Sequence, residues 1–354
     1  MDMETTFLIG NGFDLNLGLK TRYTDFYPHY VDDSRFDSDD PAVLSFKELL
    51  QRDGNYRRWA DFERALGAHT KKPPLNEEAT LRRCLWHFKR CFAQYLKEED
   101  QRINLKACGA EMMRRFASGL CSHLDWLEPR DSAALENVFR IKGFAQYNIL
   151  NFNYTTIIDR LVSDYRDPED DAVQHLKQII HVHGTYSSGM LIGLDNASQA
   201  ANPNLLTNPR QQRLLLKPLV NQQSGHGNDQ AAWDCINKSD EICIFGMSLG
   251  ETDAVWWRRI GNWLQDTVYH HLVIFALKRD LDLLFWDDII EYQEEIRDRF
   301  FSRAELPKDV RNRLRDQVHV SLNAGIFNLE PVHGRYPHPI QLDKPPCVKA
   351  TLLS

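Results

Sequence analysis

Six short apolar runs recur along the chain, and most of them end at a turn that contains Gly, Asn or His. The runs cover residues 6–9, 147–152, 178–182, 241–245, 271–277 and 317–322. Most are near-continuous rather than alternating in polarity, which is typical of strands that are buried on both faces of a parallel sheet. The pattern predicts an α/β fold with a mainly parallel sheet, in which ligands bind beyond the carboxyl ends of the strands.

The long stretch between the first two strands carries a helical pattern. Apolar residues recur there at three- and four-residue spacing, which predicts buried helix faces. Two such stripes are Leu81, Cys84, Leu85, Phe88, Phe92 and Tyr95, and Met113, Phe116, Leu120, Cys121 and Leu124. The sequence therefore predicts a helical insertion or cap over 36–144, on a core that is formed by 1–35 and 145–328.

Two further stretches break this regular pattern. Residues 196–232 are polar with Pro and Gly breaks, and we interpret them as a long excursion near the site. Residues 329–354 contain five prolines and are predicted to form an irregular tail.

Composition and charge narrow the class of protein. Hydrophobic residues make up 42% and charged residues 26% of the 354 positions, which is ordinary for a globular protein, and the formal net charge is −7. An acidic balance makes nucleic acid an unlikely partner. The seven cysteines form no C-x-x-C pair, and no signal peptide or membrane-spanning run is evident. We therefore expect a cytoplasmic protein without membrane association.

The turn Gly10-Asn11-Gly12 follows the first strand directly, and Asp14 comes two residues later. A Gly-x-Gly turn at this point lets the backbone approach a diphosphate, and a Rossmann-like sheet is the usual setting. The third glycine of the dinucleotide fingerprint is replaced by Leu15, so a standard dehydrogenase motif is not indicated. An ordinary strand-to-helix turn is the alternative.

Polar residues also end the next two predicted strands. Asn153 lies in the turn Asn-Tyr-Thr-Thr, where its amide can bond a ribose hydroxyl or a water, or else cap the next helix. His183 precedes Gly184, and its imidazole is a candidate general base or a structural histidine. His181 and His183 share one strand face, but no further potential metal ligand lies at a spacing that is typical of zinc sites. No metal site is therefore predicted.

The turn Gly246-Met247-Ser248-Leu249-Gly250 allows two readings. It matches the G-x-S-x-G nucleophile elbow, for which Asp287 or Asp288 with His319 or His333 would complete a triad. Alternatively it is an anion-binding turn in which Ser248 and Glu251 form a capping box. The interpretation as a hydrolase assigns no function to the Gly10, Asn153 and His183 loops, and so it ranks second.

A further acidic pair, Asp61 and Glu63, is interpreted as solvated helix surface.

The ordered set of motifs resembles the abortive-infection H (AbiH) family of phage-defence proteins. The resemblance rests on GNGFDLNLGLKTRYTDFY, NFNYTTIID, HVHG with LIGLD, and GMSLGETD before a tryptophan-rich helix. These four motifs are also similar to motifs of Sir2-like NAD-binding domains. The opening loop differs from the Gly-Ala-Gly of sirtuins, and the zinc-binding cysteines of deacylases are missing, so the resemblance does not extend to peptide deacylation.

The resemblance implies an anti-phage protein that binds NAD or an ADP-ribose-like nucleotide and hydrolyses NAD at the nicotinamide–ribose bond. Gly10, Asn11 and Gly12 would hold the diphosphate, and Asn153 and His183 would flank the nicotinamide ribose as catalytic residues. Gly246 with Ser248 would hold adenosine-side groups, and Asp14 and Asp253 complete the expected nucleotide site. A serine hydrolase using Ser248, or a non-catalytic nucleotide sensor, is the alternative. Whether the protein forms a homo-oligomer or binds a partner protein of a defence system is left open.

Overall fold

The computed structural model describes residues 2–52, 59, 61–142, 145–166, 174–207, 209–224, 228–279 and 285–329. Apart from Leu329, which is buried, the predicted tail lies outside the described residues, and so does His333, one candidate of the hydrolase triad.

Six strands form one sheet, and all of them are parallel. They are β1 (Met3–Ile9), β2 (Ala145–Asn151), β3 (Leu176–His181), β4 (Glu241–Phe245), β5 (His271–Ala276) and β6 (Val318–Leu322). Their order across the sheet is β3-β2-β1-β4-β5-β6, which is the order of Rossmann-like sheets. The strand predictions and the parallel fold class are confirmed. Since all carboxyl ends share one edge and the order reverses between β1 and β4, the preferred ligand position lies beyond the ends of these two strands.

The helices alternate with the strands except in the long insertion. Between β1 and β2 lie α1 (Gly12–Asn16), α2 (Tyr23–Asp32), α3 (Pro41–Arg52), α4 (Phe62–His69), α5 (Glu78–Gln101), α6 (Leu105–Cys121) and α7 (Pro129–Lys142). The later helices are α8 (Ile157–Tyr165), α9 (Pro209–Leu215), α10 (Lys217–Ser224), α11 (Asn228–Lys238), α12 (Ala254–Asp266), α13 (Trp286–Arg303) and α14 (Lys308–Leu314). The predicted helical insertion is confirmed, and the described part of 36–144 holds no strand.

Two apolar layers cover the sheet because successive strand residues point to opposite faces. Phe7 and Ile9 pack with α6 and α8 on one face. Leu8 packs with α11–α14 on the other face. In the second predicted stripe Met113, Phe116 and Leu120 are buried on α6, but Cys121 is exposed and Leu124 lies half-buried beyond the end of the helix.

A third apolar cluster joins α2–α5 to the segment that follows β3. Phe62 stacks on Phe88 with ring centroids 4.1 Å apart, and Ile192, Leu194 and Leu215 pack into the same cluster. The Ala201 amide donates to the Gly67 carbonyl at 2.9 Å. These contacts place the helical cap against the loop beyond β3, at the carboxyl edge of the sheet.

Among the described residues, we find no helix with the length and apolarity that crossing a membrane requires.

Candidate functional site

The loops after β1 and β4 pack tightly on each other at the point where the strand order reverses. The amides of Gly10 and Gly12 donate to the carbonyls of Phe245 and Gly246, at 2.9 and 2.8 Å, and the Phe13 amide donates to the Gly10 carbonyl at 2.9 Å. A Cβ on Gly12 would overlap the Cα of Gly246. Close packing between the loops therefore requires these glycines. Because the three amides are already bonded, the geometry does not favour the predicted diphosphate cradle.

Asn11 has a contact within its own segment. Its side-chain oxygen accepts a hydrogen bond from the Thr21 hydroxyl at 2.5 Å. The hydrogen bond connects the residue that precedes α1 to the segment that follows this helix.

Asp14 lies buried between the ends of β1 and β2. The Thr155 hydroxyl lies 2.9 Å from both carboxylate oxygens, and the Asn153 amide nitrogen lies 3.4 Å from one of them. Burial raises the pKa of Asp14 to about 7, and the charge of Asp100 adds to the increase while the Thr155 bond opposes it. A carboxyl group with this pKa can give or take a proton at neutral pH.

Asn153 is held in place but is not fully satisfied. Its side chain is 4% exposed, and its backbone amide donates to the side-chain oxygen of Asn151 at 2.9 Å. Its own side-chain oxygen is buried and has no hydrogen-bond partner among the described residues. A buried amide oxygen without a partner costs ~1–3 kcal/mol, so it marks a position where a ligand group or a water would bind.

The expected alternative role of this turn as a helix cap is not observed. The residue that precedes α8 is Thr156, and its side chain makes no capping hydrogen bond. Instead the Thr156 hydroxyl donates to Asp100 at 2.8 Å. Tyr186 donates to the same carboxylate oxygen at 2.8 Å, and Arg160 pairs with the other at 2.9 Å. Asp100 thereby connects α5 of the cap to the loops beyond β2 and β3.

A second polar cluster is built around Lys217, the first residue of α10. Its ammonium lies 2.7 Å from the Glu63 carboxylate and 3.0 Å from that of Asp195, and the side chain is 6% exposed. Burial lowers the pKa of Lys217, but Glu63, Asp195 and Asp253 outweigh it and hold the pKa well above its usual value. Lys217 is therefore a permanent cation shared by several carboxylates.

The predicted position of Glu63 on a solvated helix surface is wrong. Glu63 is buried, and it also accepts the Gly193 amide at 3.1 Å. Asp61 is exposed as predicted, and its side chain accepts the Arg64 amide at the start of α4. The apolar neighbours of Glu63 at Phe62, Ala65 and Leu66 were the signal that this helix is covered.

The carboxylates near Lys217 carry more negative charge than this one lysine compensates. Burial raises the pKa of Asp253 to about 7, against the opposing charge of Lys217 and with the added repulsion of Asp195 and Glu63. Burial likewise raises the pKa of Asp195, whose second carboxylate oxygen is buried without a partner among the described residues. Three carboxylates with one lysine leave this side of the site electronegative.

His183 lies beside this cluster. Its ring makes an edge contact with Phe152 at 5.4 Å between centroids, and the side chain is half-buried. Burial, followed by the charge of Lys217, lowers its pKa well below the usual value. The imidazole is therefore neutral at neutral pH, and it has the protonation state of a base.

Among the described residues, Ser248 does not meet the histidine that a serine hydrolase triad requires; His333 lies outside them. Ser248 is exposed beyond the carboxyl end of β4, and the positive φ values of this turn fall on Gly246 (71°) and Leu249 (51°) rather than on the serine. His319 lies near the amino end of β6 and pairs with Asp131 at 3.1 Å and His271 at 3.0 Å. Because Ser248 and His319 lie at opposite edges of the sheet, they cannot form a nucleophile–base pair.

The predicted capping box of Ser248 and Glu251 is also wrong. Glu251 begins a short 3-10 helix that is preceded by Gly250 without a side-chain cap. The exposed Glu251 carboxylate pairs with Arg303 at 2.8 Å and with Arg64 at 3.5 Å. The turn thus connects α12 to α13 and to the cap.

The histidines near β3 do not gather ligands for a metal. His181 bonds the Asp159 carboxylate at 2.8 Å instead of pointing toward His183. A buried set, His123, Glu241 and Cys243, brings its ligand atoms within 4.8 Å at the opposite edge of the sheet. The His123–Glu241 hydrogen bond of 3.0 Å occupies two of these groups. The prediction that the protein needs no metal stays a prediction.

Fold and site together define a Rossmann-like protein whose polar strand ends are covered by a helical cap. The family model described as "Bacteriophage abortive infection AbiH" matches residues 6–275, about three quarters of the chain. The chain therefore belongs to the AbiH family of bacteriophage abortive infection proteins. The match gives no evidence for the expected Sir2-like resemblance. No curated protein matches the chain.

Proposed function

We propose that this abortive infection protein binds NAD at the carboxyl ends of β1, β2 and β3 and hydrolyses its nicotinamide–ribose bond. Asp14 and Asn153 contact the nicotinamide ribose, and His183 accepts a proton from the attacking water. The proposal keeps the catalytic residues that the sequence predicts and adds Glu63, Asp195 and Lys217 as their surroundings.

The observation that carries the proposal is the unpartnered oxygen of Asn153 next to a carboxyl group with a pKa of about 7. Both groups lie at the carboxyl edge of the sheet, at the ends of β1 and β2 and so next to the point where the strand order reverses. An amide oxygen accepts a hydrogen bond from a ribose hydroxyl, and an adjacent Asp14 can accept one or donate one. Together they provide two of the contacts that orient a ribose.

The negative charge of the cluster around Lys217 suits the cleavage of a bond to the cationic nicotinamide ring of NAD. The nicotinamide ring of NAD is cationic and leaves as a neutral molecule, so no general acid is needed. The transition state has oxocarbenium character, and nearby carboxylates stabilise such a centre, as they do in glycosidases. Asp195, which pairs with Lys217, provides negative charge here, and Asp253, with a pKa of about 7, adds to it in its ionised form.

His183 acts as a neutral base in this scheme. Its low pKa makes it a weaker base than a free imidazole, because burial and Lys217 disfavour the imidazolium. General-base catalysis typically contributes about 10²–10⁴-fold to a rate. We therefore expect His183 to contribute near the lower end of this range, with the larger share coming from orientation and electrostatics.

Calorimetry with NAD and purified protein tests the binding step. We expect Asn153→Ala to weaken NAD binding about 10-fold, since the lost hydrogen bonds lie in a buried site. Asn204→Ala is the matched control, because Asn204 is exposed in the excursion between β3 and β4. Equal affinity in wild type and Asn153→Ala would remove the proposed ribose contact.

A further inference from the structure

A cavity of about 330 Å³ opens between α5, the loop after β3, and helices α9 and α10. Five of its lining side chains are cationic: Arg82, Lys89, Arg210, Arg213 and Lys217. Most of the remaining wall is apolar and includes Leu191 and Val220. The volume falls within the range of small-molecule pockets, and the charge of the lining suits an anion.

The cations of the cavity differ in how far their charge is already compensated. Arg82 lies 2.9 Å from the Glu78 carboxylate, and Arg210 lies 4.0 Å from the same group. Lys217 is neutralised by Glu63 and Asp195. Lys89 has no carboxylate within ion-pair distance in the part of the chain that the structure describes. Arg213 donates to the Pro209 carbonyl at 2.9 Å. Lys89 therefore differs from Arg82, Arg210 and Lys217, each of which has a carboxylate within 4.0 Å.

The pKa of Lys89 also indicates that the charge of this lysine is poorly compensated. Burial lowers its pKa to about 8, although the charge of Glu63 opposes the decrease. An ammonium that is taken out of water without a counter-ion is costly, so such groups are normally paired or bind an anion. Three guanidinium groups, those of Arg82, Arg210 and Arg213, line the same cavity as Lys89.

We infer that this cavity binds a phosphoryl group of a small molecule and that Lys89 is its principal cation. Arginine forks match the oxygens of a phosphate in a bidentate manner, and lysine adds a point charge. The inference deepens the proposed function and rests on it, because the diphosphate of NAD is the group that the cavity would hold. It also assigns the phosphate to the cap rather than to the Gly10 loop.

Lys217 connects this cavity to the acidic cluster. Its side chain lines the cavity and also contacts Glu63 and Asp195. A ligand that spans both regions therefore meets positive groups at one end and negative groups at the other. NAD has the complementary distribution, with an anionic diphosphate and a cationic nicotinamide ring.

Calorimetry with inorganic pyrophosphate and with ADP-ribose tests the inference on the full chain. The variant is Lys89→Met, and Lys97→Met is the matched control, because Lys97 is an exposed lysine on the same helix. We expect Lys89→Met to weaken both probes about 10- to 100-fold, as the loss of a charge-assisted hydrogen bond does. Lys97→Met should bind both probes as wild type does. Thermal unfolding of each variant verifies that the fold is intact.

The results separate this inference from the proposed function. Pyrophosphate that binds wild type but not Lys89→Met supports the inference, even if NAD is neither bound nor cleaved. NAD that wild type and Lys89→Met bind equally and cleave equally leaves the proposed function standing and overturns the inference. Failure of both probes to bind wild type at millimolar concentration also overturns it.

Discussion

The carboxylate of Asp14 and the side-chain amide of Asn153 lie 3.4 Å apart, although 139 positions separate them in the chain. The two parallel strands β1 and β2 bring them together, because their register pairs Ile9 with Asn151 and so aligns the loops that follow. The helical cap is the insertion between these strands. The site thus combines the innermost strand ends with residues that the cap contributes.

The buried carboxyl group of Asp14 should make stability depend on pH. Its pKa rises from 3.8 in the unfolded chain to about 7 in the folded protein, so the folded state binds the extra proton between these values. Stability therefore falls as pH rises from about 4 to 7, by up to ~4 kcal/mol for this group. Urea unfolding at pH 5 and pH 8 measures the difference.

Asp14→Asn provides the comparison, since an amide resembles the protonated carboxyl group. We expect this variant to lose most of the pH dependence that Asp14 contributes. A variant with the same loss of stability between pH 5 and pH 8 as wild type would contradict the raised pKa of Asp14.

Lys217 should be important for stability because it neutralises buried carboxylates. Lys217→Met leaves Glu63 and Asp195 without their cation, and breaking a buried pair in this way typically costs ~3–5 kcal/mol. Adding Glu63→Gln to the same chain should restore part of that loss, since one unpaired charge is removed. Urea unfolding of the single and double variants measures the coupling, and strictly additive effects would count against the pair.

Gly12 should tolerate no side chain, whether or not it contacts a ligand. A Cβ at this position overlaps the Cα of Gly246, so Gly12→Ala forces the two loops apart at a cost of ~1–3 kcal/mol. Gly250→Ala is the control in the neighbouring loop, where the nearest atom to a new Cβ is 3.4 Å away. We expect thermal unfolding to show a lower Tm for Gly12→Ala alone. An unchanged Tm would show that the loops are less tightly packed.

Much of the fold could be predicted from the sequence because its signals are local. The apolar runs identify the six strands, and the stripe from Leu81 to Tyr95 identifies the face of α5 that is buried in the third cluster. These patterns depend on neighbouring residues and on the periodicity of helix and strand. The exposure of Cys121 is an exception, since it lies at the last residue of α6.

The candidate site could be predicted only in part. Asn153, His183 and Asp253 were identified because they follow strands at Gly- or Asn-containing turns. Glu63 and Lys217 were missed, because the 154 positions between them carry no spacing signal. The apolar residues around Lys217 (LLLKPL) are the trace that could have indicated a buried lysine.

Binding of ADP-ribose should be linked to the protonation of Lys89. At pH 9 a lysine with a pKa of about 8 is mostly neutral, and a bound diphosphate would raise that pKa. We therefore expect the binding of ADP-ribose to take up protons at pH 9, where Asp14 and Asp253 with pKa values of about 7 are already ionised, and to be weaker at pH 9 than at pH 6.5. Lys217 stays charged across this range because its pKa lies well above the usual value.

Calorimetry in two buffers with different ionisation enthalpies measures this proton uptake. The other charged groups at or next to the cavity are Glu63, Glu78, Arg82, Arg210 and Arg213, and all of them are retained in the Lys89→Met variant. Lys89→Met should therefore bind without proton uptake. Equal uptake in the variant would assign the proton to another group.

The most direct test of the central claim is the release of free nicotinamide from NAD by the purified protein. We predict release by wild type, a rate about 10²-fold lower for His183→Ala with NAD binding retained, and no reduction for Asn204→Ala. Wild-type protein that binds NAD but releases no nicotinamide would contradict the hydrolysis claim and favour a sensor. Full activity in both His183→Ala and Asn153→Ala would contradict the proposed site.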